Sequence, residues 1–254
     1  MCNVSGIAFG NKSLTPADVF GKDVIEVGAC DVNGSLRAGV EAKKPASYLG
    51  VDIVPGKGVD VVCGADELVE KFGPQRFDIV ISTEMIEHVL DWRRAVSNLK
   101  NICRPGGVLI VTTRSKGFHF HAAPYDFWRY EIDDMKAIFS DFEIEMLEKD
   151  TADIGVFMKA HKPASFKENS LAGYALYNIV TDDRRESFDM DDMGNPRWKK
   201  NPVYDKGIYK HLKDLIRTKA ITDYGDVAGS RWYPRRPYYR LKLAFSFLRT
   251  KFLG

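Results

Sequence analysis

The sequence predicts an α/β fold, a mainly parallel seven-stranded sheet with helices on both faces, followed by a C-terminal extension. Three observations lead there. Between residues 23 and 161, short apolar runs alternate with amphipathic stretches, the pattern of βα units. The run at 77–85 holds a Val-Ile-Ser segment apolar enough for a strand covered on both faces. The last two runs, 142–149 and 155–162, read as a closing pair of strands.

In chain order, residues 23–29 form the first strand, followed by a Gly- and Asn-containing turn and a helix from Ser35. Residues 47–53 and 59–64 are the second and third strands, and 77–85 the fourth. A helix over 91–103 carries Trp92, Val96, Leu99 and Ile102 at helical spacing. Arg104-Pro105-Gly106-Gly107 ends it and turns the chain into the fifth strand, 107–113. Residues 132–139 make a short helix, with Asp133 and Asp134 suited to its positive N-terminal end. After Lys162 the pattern changes. Residues 181–205 are polar and read as a long loop, and 209–221 and 238–252 as two helices. The expected divisions are an N-terminal segment (1–22), a ligand-binding α/β domain (23–162) and a basic extension (163–254).

With 254 residues and 44% hydrophobic content, a sizeable core is available. No apolar run approaches membrane-spanning length, and the start lacks the basic and apolar regions of a secretion signal. Cys2, Cys30, Cys63 and Cys103 are far apart, which fits neither a disulfide framework nor a zinc site and agrees with a reducing cytoplasm. The net charge of +2 hides an asymmetry. From Arg197 onward there are 15 Lys/Arg against 4 Asp/Glu, while the preceding 196 residues hold 22 against 31. Such a split suits an anionic partner for the C-terminal part, or a solvated basic face.

The first strand ends in Glu26-Val27-Gly28-Ala29-Cys30-Asp31-Val32-Asn33-Gly34, a tight turn that lets a ligand approach the backbone. A dinucleotide site would want G-x-G-x-x-G, and Cys30 stands where the second glycine belongs. Glu26 also disfavours a pyrophosphate but tolerates a ligand carrying ammonium and sulfonium groups. Asp52, 24 residues after Gly28 at the end of the second strand, can accept both hydroxyl hydrogens of a ribose. Each such charge-assisted bond contributes roughly 1.5–3 kcal/mol.

Together with Ser82-Thr83-Glu84-Met85-Ile86-Glu87-His88 and Arg104-Pro105-Gly106-Gly107, these motifs follow the order and spacing of class I S-adenosylmethionine (SAM)-dependent methyltransferases, which residues 23–161 resemble. Within that superfamily the chain looks like the small-molecule group that includes ubiquinone- and sugar-modifying enzymes. The resemblance implies a Rossmann-like sheet and SAM as cofactor. Glu26, Gly28 and Gly34 would then shape the methionine side, Ala29 and Asp31 would also bind the cofactor, Asp52 would hold the ribose and Ile53 would lie against the adenine. Gly64 and Ala65 follow the third strand, and Gly64 occupies the place of an acid that often caps the adenine amino group, so that role passes to backbone or to Asp66. Thr83 and Glu84 would border the methionine moiety.

An alcohol acceptor must lose a proton, so a general base or a metal is needed. Nitrogen-methylating relatives carry Asn/Asp-Pro-Pro-Tyr after the fourth strand, and this chain does not. The expected acceptor wall is residues 118–130, at the carboxyl edge where such sheets bind ligands. There His119, His121 and Asp126 are the candidate catalytic residues, and Tyr125, Trp128 and Arg129, with His88, the candidate acceptor contacts. The alternative for Tyr125, Trp128 and Tyr130 is the core. No metal is expected, although His119, His121 and Asp126 could share one.

The function read from this is O-methylation of a sugar or other small molecule, plausible in surface-glycan (polysaccharide) synthesis. The other readings are an RNA or protein methyltransferase using the basic C-terminal region, and a SAM-binding interaction subunit without turnover. The expected partner is a small-molecule or glycan acceptor rather than nucleic acid, and a homo-oligomer is compatible. In the last helix, Leu241, Phe245, Leu248 and Phe252 share a face flanked by Arg240, Lys242, Arg249 and Lys251. That face either packs on protein, the favoured reading, or makes a peripheral membrane contact.

Overall fold

The computed structural model describes residues 3–119, 121 and 126–188. The predicted helices at 209–221 and 238–252, and Tyr125, lie outside these residues.

A seven-stranded sheet forms the centre. Strands β1 (Asp23–Val27), β2 (Ser47–Asp52), β3 (Val61–Val62), β4 (Phe77–Thr83) and β5 (Cys103–Arg114) are parallel. A hairpin, β7 (Glu143–Asp150) and β8 (Gly155–His161), closes it with β8 antiparallel to β5, in the order β3-β2-β1-β4-β5-β8-β7. The predicted class I sheet is therefore present. At the edge, β3 is shorter than the 59–64 predicted, and Val62 is exposed.

Strand alternation explains why the sheet is covered twice. Ile25, Val27 and Val80 belong to one core, while Val24, Ile79 and Ile81 belong to the other. The first core includes α5 (Trp92–Ile102), whose Trp92, Val96, Leu99 and Ile102 are all buried as their spacing predicts. Each contributes roughly 1.5–3 kcal/mol through burial. Asp91 caps the start of α5 by accepting from the Arg94 N–H at 3.2 Å. The second core is roofed by α1 (Val4–Ser13), α2 (Pro16–Val19) and α3 (Arg37–Glu41). Helix α1 was not read from the sequence: its face is made of Ile7, Phe9 and small residues rather than an apolar stripe.

Between β3 and β4 lies α4 (Leu68–Phe72), and after β5 come β6 (Trp128–Arg129) and α6 (Ile132–Ile138). Asp134 accepts from the Glu131 N–H at 2.8 Å, the capping part its position suggests. Past the hairpin, β9 (Leu176–Asn178) and β10 (Arg184–Arg185) join β6 in a small antiparallel sheet, order β10-β9-β6. Part of the segment read as a polar loop is thus a strand that returns to the domain. No helix among the described residues is long and apolar enough to cross a membrane.

Candidate active site

The carboxyl ends of β1, β2, β4 and β5 share one edge, and the predicted residues gather there. Gly28 has φ +84°, and a Cβ would lie 2.8 Å from Met85, so the turn requires glycine twice over. The N–H groups of Gly28 and Ala29 both donate to Val51 O, at 2.9 and 3.0 Å. Asp31 shapes the loop itself: it accepts from the Gly34 N–H at 3.0 Å and pairs with Lys57 at 2.5 Å. The buried Glu26 carboxylate accepts from the hydroxyls of Tyr48 (2.7 Å) and Ser35 (3.2 Å). Burial raises its pKa against those hydrogen bonds. Glu26 thus braces strand β2 and the start of α3.

Asp52 ties two loops together, accepting from the N–H groups of Cys30 (3.1 Å) and Val54 (3.2 Å). Burial raises its pKa, opposed by those amides. A carboxylate has about four acceptor positions, so Asp52 keeps capacity for a ligand hydroxyl beside these amides. Ile53 packs, half-buried, against the core. Gly64, Ala65 and Asp66 are buried, and Asp66 Oδ1 has no hydrogen-bond partner. A Cβ on Gly64 would come within 2.6 Å of that oxygen. An unsatisfied buried acceptor costs about 1–3 kcal/mol, and a ligand amino group would supply the missing donor. This is the feature that best fits an adenine.

Thr83 and Glu84 are buried at the end of β4, with Glu84 in the left-handed region at φ +50°. Glu84 forms an ion pair with Arg114, which also pairs with Asp153 at 3.0 Å and lies 4.0 Å over the Phe118 ring. Burial and neighbouring Glu87 raise the Glu84 carboxyl's pKa despite that arginine.

The histidines meet at the same edge. The rings of His88 and His121 are 4.8 Å apart, and those of His119 and His121 6.3 Å. His119 is exposed and stacks on Phe118 at 4.5 Å. His121 is anchored: its Nδ1 lies 3.0 Å from Asp126 Oδ2, and its backbone N–H donates to the same oxygen at 3.0 Å. Asp126 is fully buried and pairs in a two-pronged fashion with Arg129, at 2.5 and 2.9 Å. Burial alone would raise the Asp126 pKa, but the hydrogen bonds and charges of Arg129 and His121 hold it well below the usual carboxylate range. Burial pushes His88 down to about 4, so it is neutral at pH 7.

Two expected acceptor contacts are corrected by burial. Trp128 is in the core and donates to Leu90 O at 3.1 Å. The Arg129 guanidinium is consumed by Asp126 and by the carbonyls of Phe118, His119 and Trp128, so it supports the loop from within. Glu87, Phe118 and Arg114 are residues the sequence did not single out. Glu87 accepts from the Thr113 hydroxyl at 2.8 Å, and its other oxygen is 3.8 Å from His88 Nε2. Ligand-type atoms of Glu87, His88 and His121 lie within 4.8 Å of one another, a spacing a cation could bridge, and a different set from the His119, His121 and Asp126 alternative offered by the sequence.

A methyltransferase-domain family model matches residues 14–152, more than half of the sequence. The chain belongs to that methyltransferase family. The methyltransferase assignment made from the motifs therefore stands for the domain. The methyltransferase is 30% identical over 111 residues to a ubiquinone biosynthesis O-methyltransferase of Idiomarina loihiensis, covering 39% of this chain and 44% of that one. It is 26% identical over 173 residues to the enzyme of that name from Coxiella burnetii, covering 63% and 66%. It thus spans less than two thirds of the length of either relative. In fold it is similar to Burkholderia thailandensis 1,6-didemethyltoxoflavin-N1-methyltransferase, solved with S-adenosylhomocysteine, at a TM-score of 0.50 and 14% identity, over 62% of this chain and 78% of that one.

Proposed function

We propose that the methyltransferase moves a methyl group from SAM to a hydroxyl of a small molecule, with His121 as the proton acceptor. The observation that carries this reading is the His121–Asp126–Arg129 chain beside the end of β4. Asp126, held ionised by Arg129, accepts the Nδ1–H of His121, which leaves Nε2 unprotonated with its lone pair available to take a proton. The cofactor fits the remaining groups. Asp52 accepts the ribose hydroxyls, Asp66 the adenine amino group, and Gly28 admits the methionine portion to the backbone.

When bound, SAM supplies a sulfonium-activated methyl and leaves as a neutral thioether. The protein's task is to hold a hydroxyl in line with that carbon. His121 Nε2 takes the hydroxyl proton as the new C–O bond forms. Neutral His88, whose ring lies tilted 4.8 Å from that of His121, keeps a second positive charge away from that base.

The relatives' shared name supports oxygen as the accepting atom. Nothing in them supports the sugar or glycan acceptor, so the reading is limited to hydroxyl-bearing small molecules. Methyl-labelled SAM offered with panels of phenols and sugars tests it, with products identified by mass spectrometry. Transfer to oxygen is expected. Labelling confined to nitrogen, sulfur or RNA overturns it. A chelator should leave turnover intact; loss restored by Mg²⁺ would transfer the proton-removing role to a cation at Glu87, His88 and His121.

A further inference from the structure

Residues 163–188 lie beyond the matched family region, yet they are fastened to the acceptor wall. We propose that they form a strap that positions the His121–Asp126 pair, with Asn178 as its principal positioning residue. This inference rests on the His121 reading above.

The strap is secured along its length. Lys162, at its root, buries its amino group and donates to the carbonyls of Lys100 and Cys103, both at 2.8 Å. Arg93 of α5 donates to three strap carbonyls: Leu171 at 2.9 Å, Glu186 at 2.6 Å, and Tyr174. One cation thereby holds the stretches on both sides of β9 against the helix that follows β4. Between those stretches, β9 runs antiparallel to β6, placing Asn178 opposite Trp128 and Tyr177 opposite Arg129. The Ile179 N–H donates to Phe127 O at 2.9 Å.

The strap therefore grips the three residues that immediately follow Asp126. Arg129, the last of them, holds Asp126, and Asp126 holds His121. Asn178 fixes the strap's own turn. Its buried Oδ1 accepts from the N–H groups of Val180 (2.7 Å) and Thr181 (3.3 Å). Its carbonyl takes the Asp182 N–H at 2.8 Å. Without the side chain, β9 loses the turn that keeps it against β6, and the backbone carrying Asp126 is freed to shift. A displacement of about 1 Å at a reacting group can cost on the order of 10²-fold in rate. Asn178 touches no reacting group, so its part is positional.

The test uses the full chain with Asn178→Ala and Asn178→Asp. Nitrogen NMR of the histidine side chains reads the tautomer of His121, and calorimetry with S-adenosylhomocysteine reads the cofactor edge. Asn178→Ala should lose the fixed tautomer signature of His121 and lower turnover on the order of 10²-fold, with cofactor affinity unchanged. Asn178→Asp keeps the accepting oxygen and should restore both. A folded Asn178→Ala protein with the wild-type His121 signature overturns the proposal. Should that variant fail to fold, Arg93→Lys loosens the strap from the α5 side, and an unchanged His121 signature there overturns it equally. The NMR readout does not depend on His121 being the base, whereas normal turnover in His121→Ala would defeat only the functional reading.

Discussion

The loops after β1 and β2 and the wall after β5 share an edge but are built from different materials. The cofactor side is made of backbone: two amides on Val51 O, the Asp31 turn, and Asp52 bridging the amides of Cys30 and Val54. The wall after β5 is made of buried charge, with Asp126, Arg129, Arg114 and Glu87 all buried. Backbone scaffolding tolerates loss of a side chain, because the loop retains its other hydrogen bonds. A buried ion pair does not, since removing one partner strands the other at a cost of about 3–5 kcal/mol. Catalysis should therefore be fragile on the acceptor side, and binding graded on the cofactor side.

The largest expected effect is on His121. His121→Ala should lower turnover by roughly 10²–10⁴ while leaving SAM affinity unchanged. Steady-state kinetics beside calorimetry check this, and a parallel loss of affinity would break the separation between the two sides.

The next effect is on pH dependence. Burial holds His88 down to about 4 in the folded chain, while the unfolded chain titrates it near the ordinary histidine value of 6.5. Between those values the unfolded state binds the extra proton, so stability falls as pH drops from 6.5 to 4 and no further below. The loss attributable to His88 is at most about 3 kcal/mol. Urea unfolding at several pH values should show a shallower acid loss in His88→Gln. Identical slopes would mean that the acceptor side does not keep His88 neutral.

On the cofactor side, Asp52→Ala should weaken SAM binding by roughly one to two powers of ten, from two lost ribose bonds. Turnover at saturating SAM should be kept. Unchanged affinity in a folded variant removes Asp52 from the ribose. The smallest effect is at Asp66. Asp66→Ala should cost about tenfold in affinity for S-adenosylhomocysteine. An analogue with hypoxanthine in place of adenine should bind the wild type about as weakly and lose nothing further on Asp66→Ala. A full additional loss would separate Asp66 from the amino group.

The same contrast governs what could be read in advance. A backbone-built site leaves its mark in local sequence, because only glycine takes φ +84° against Met85 and only a strand-end acid reaches both loops. The strand runs were equally legible, since burial on both faces forces continuous apolar stretches. Phe118, His119 and His121 stand at the sheet edge, whereas neighbouring side chains of the same segment turn inward. The sequence points to Trp128 and Arg129 as acceptor contacts as readily as to His121 and Asp126 as catalytic groups, because an aromatic-Arg pair reads alike whether it faces inward or outward. What turns them inward is a strand from residues 176–178, about fifty positions later, and no local pattern announces that pairing. Glu87 escaped notice for the same reason, its partner being Thr113 on the neighbouring strand.

The amine at the root of the strap has a chemical consequence. Burial lowers the Lys162 pKa while two carbonyls enclose the group, and the adjacent Cys103 thiol is pushed up to about 12. In the closed fold both are inert to electrophiles, as is Lys100, whose amine contacts Ile138 O, Asp141 and Asn169. Acylating reagents will mark the surface lysines first and reach Lys162 only when the segment lifts from β5. The rate at which that one lysine is modified thus records, by peptide mass alone, how often the molecule opens at this seam.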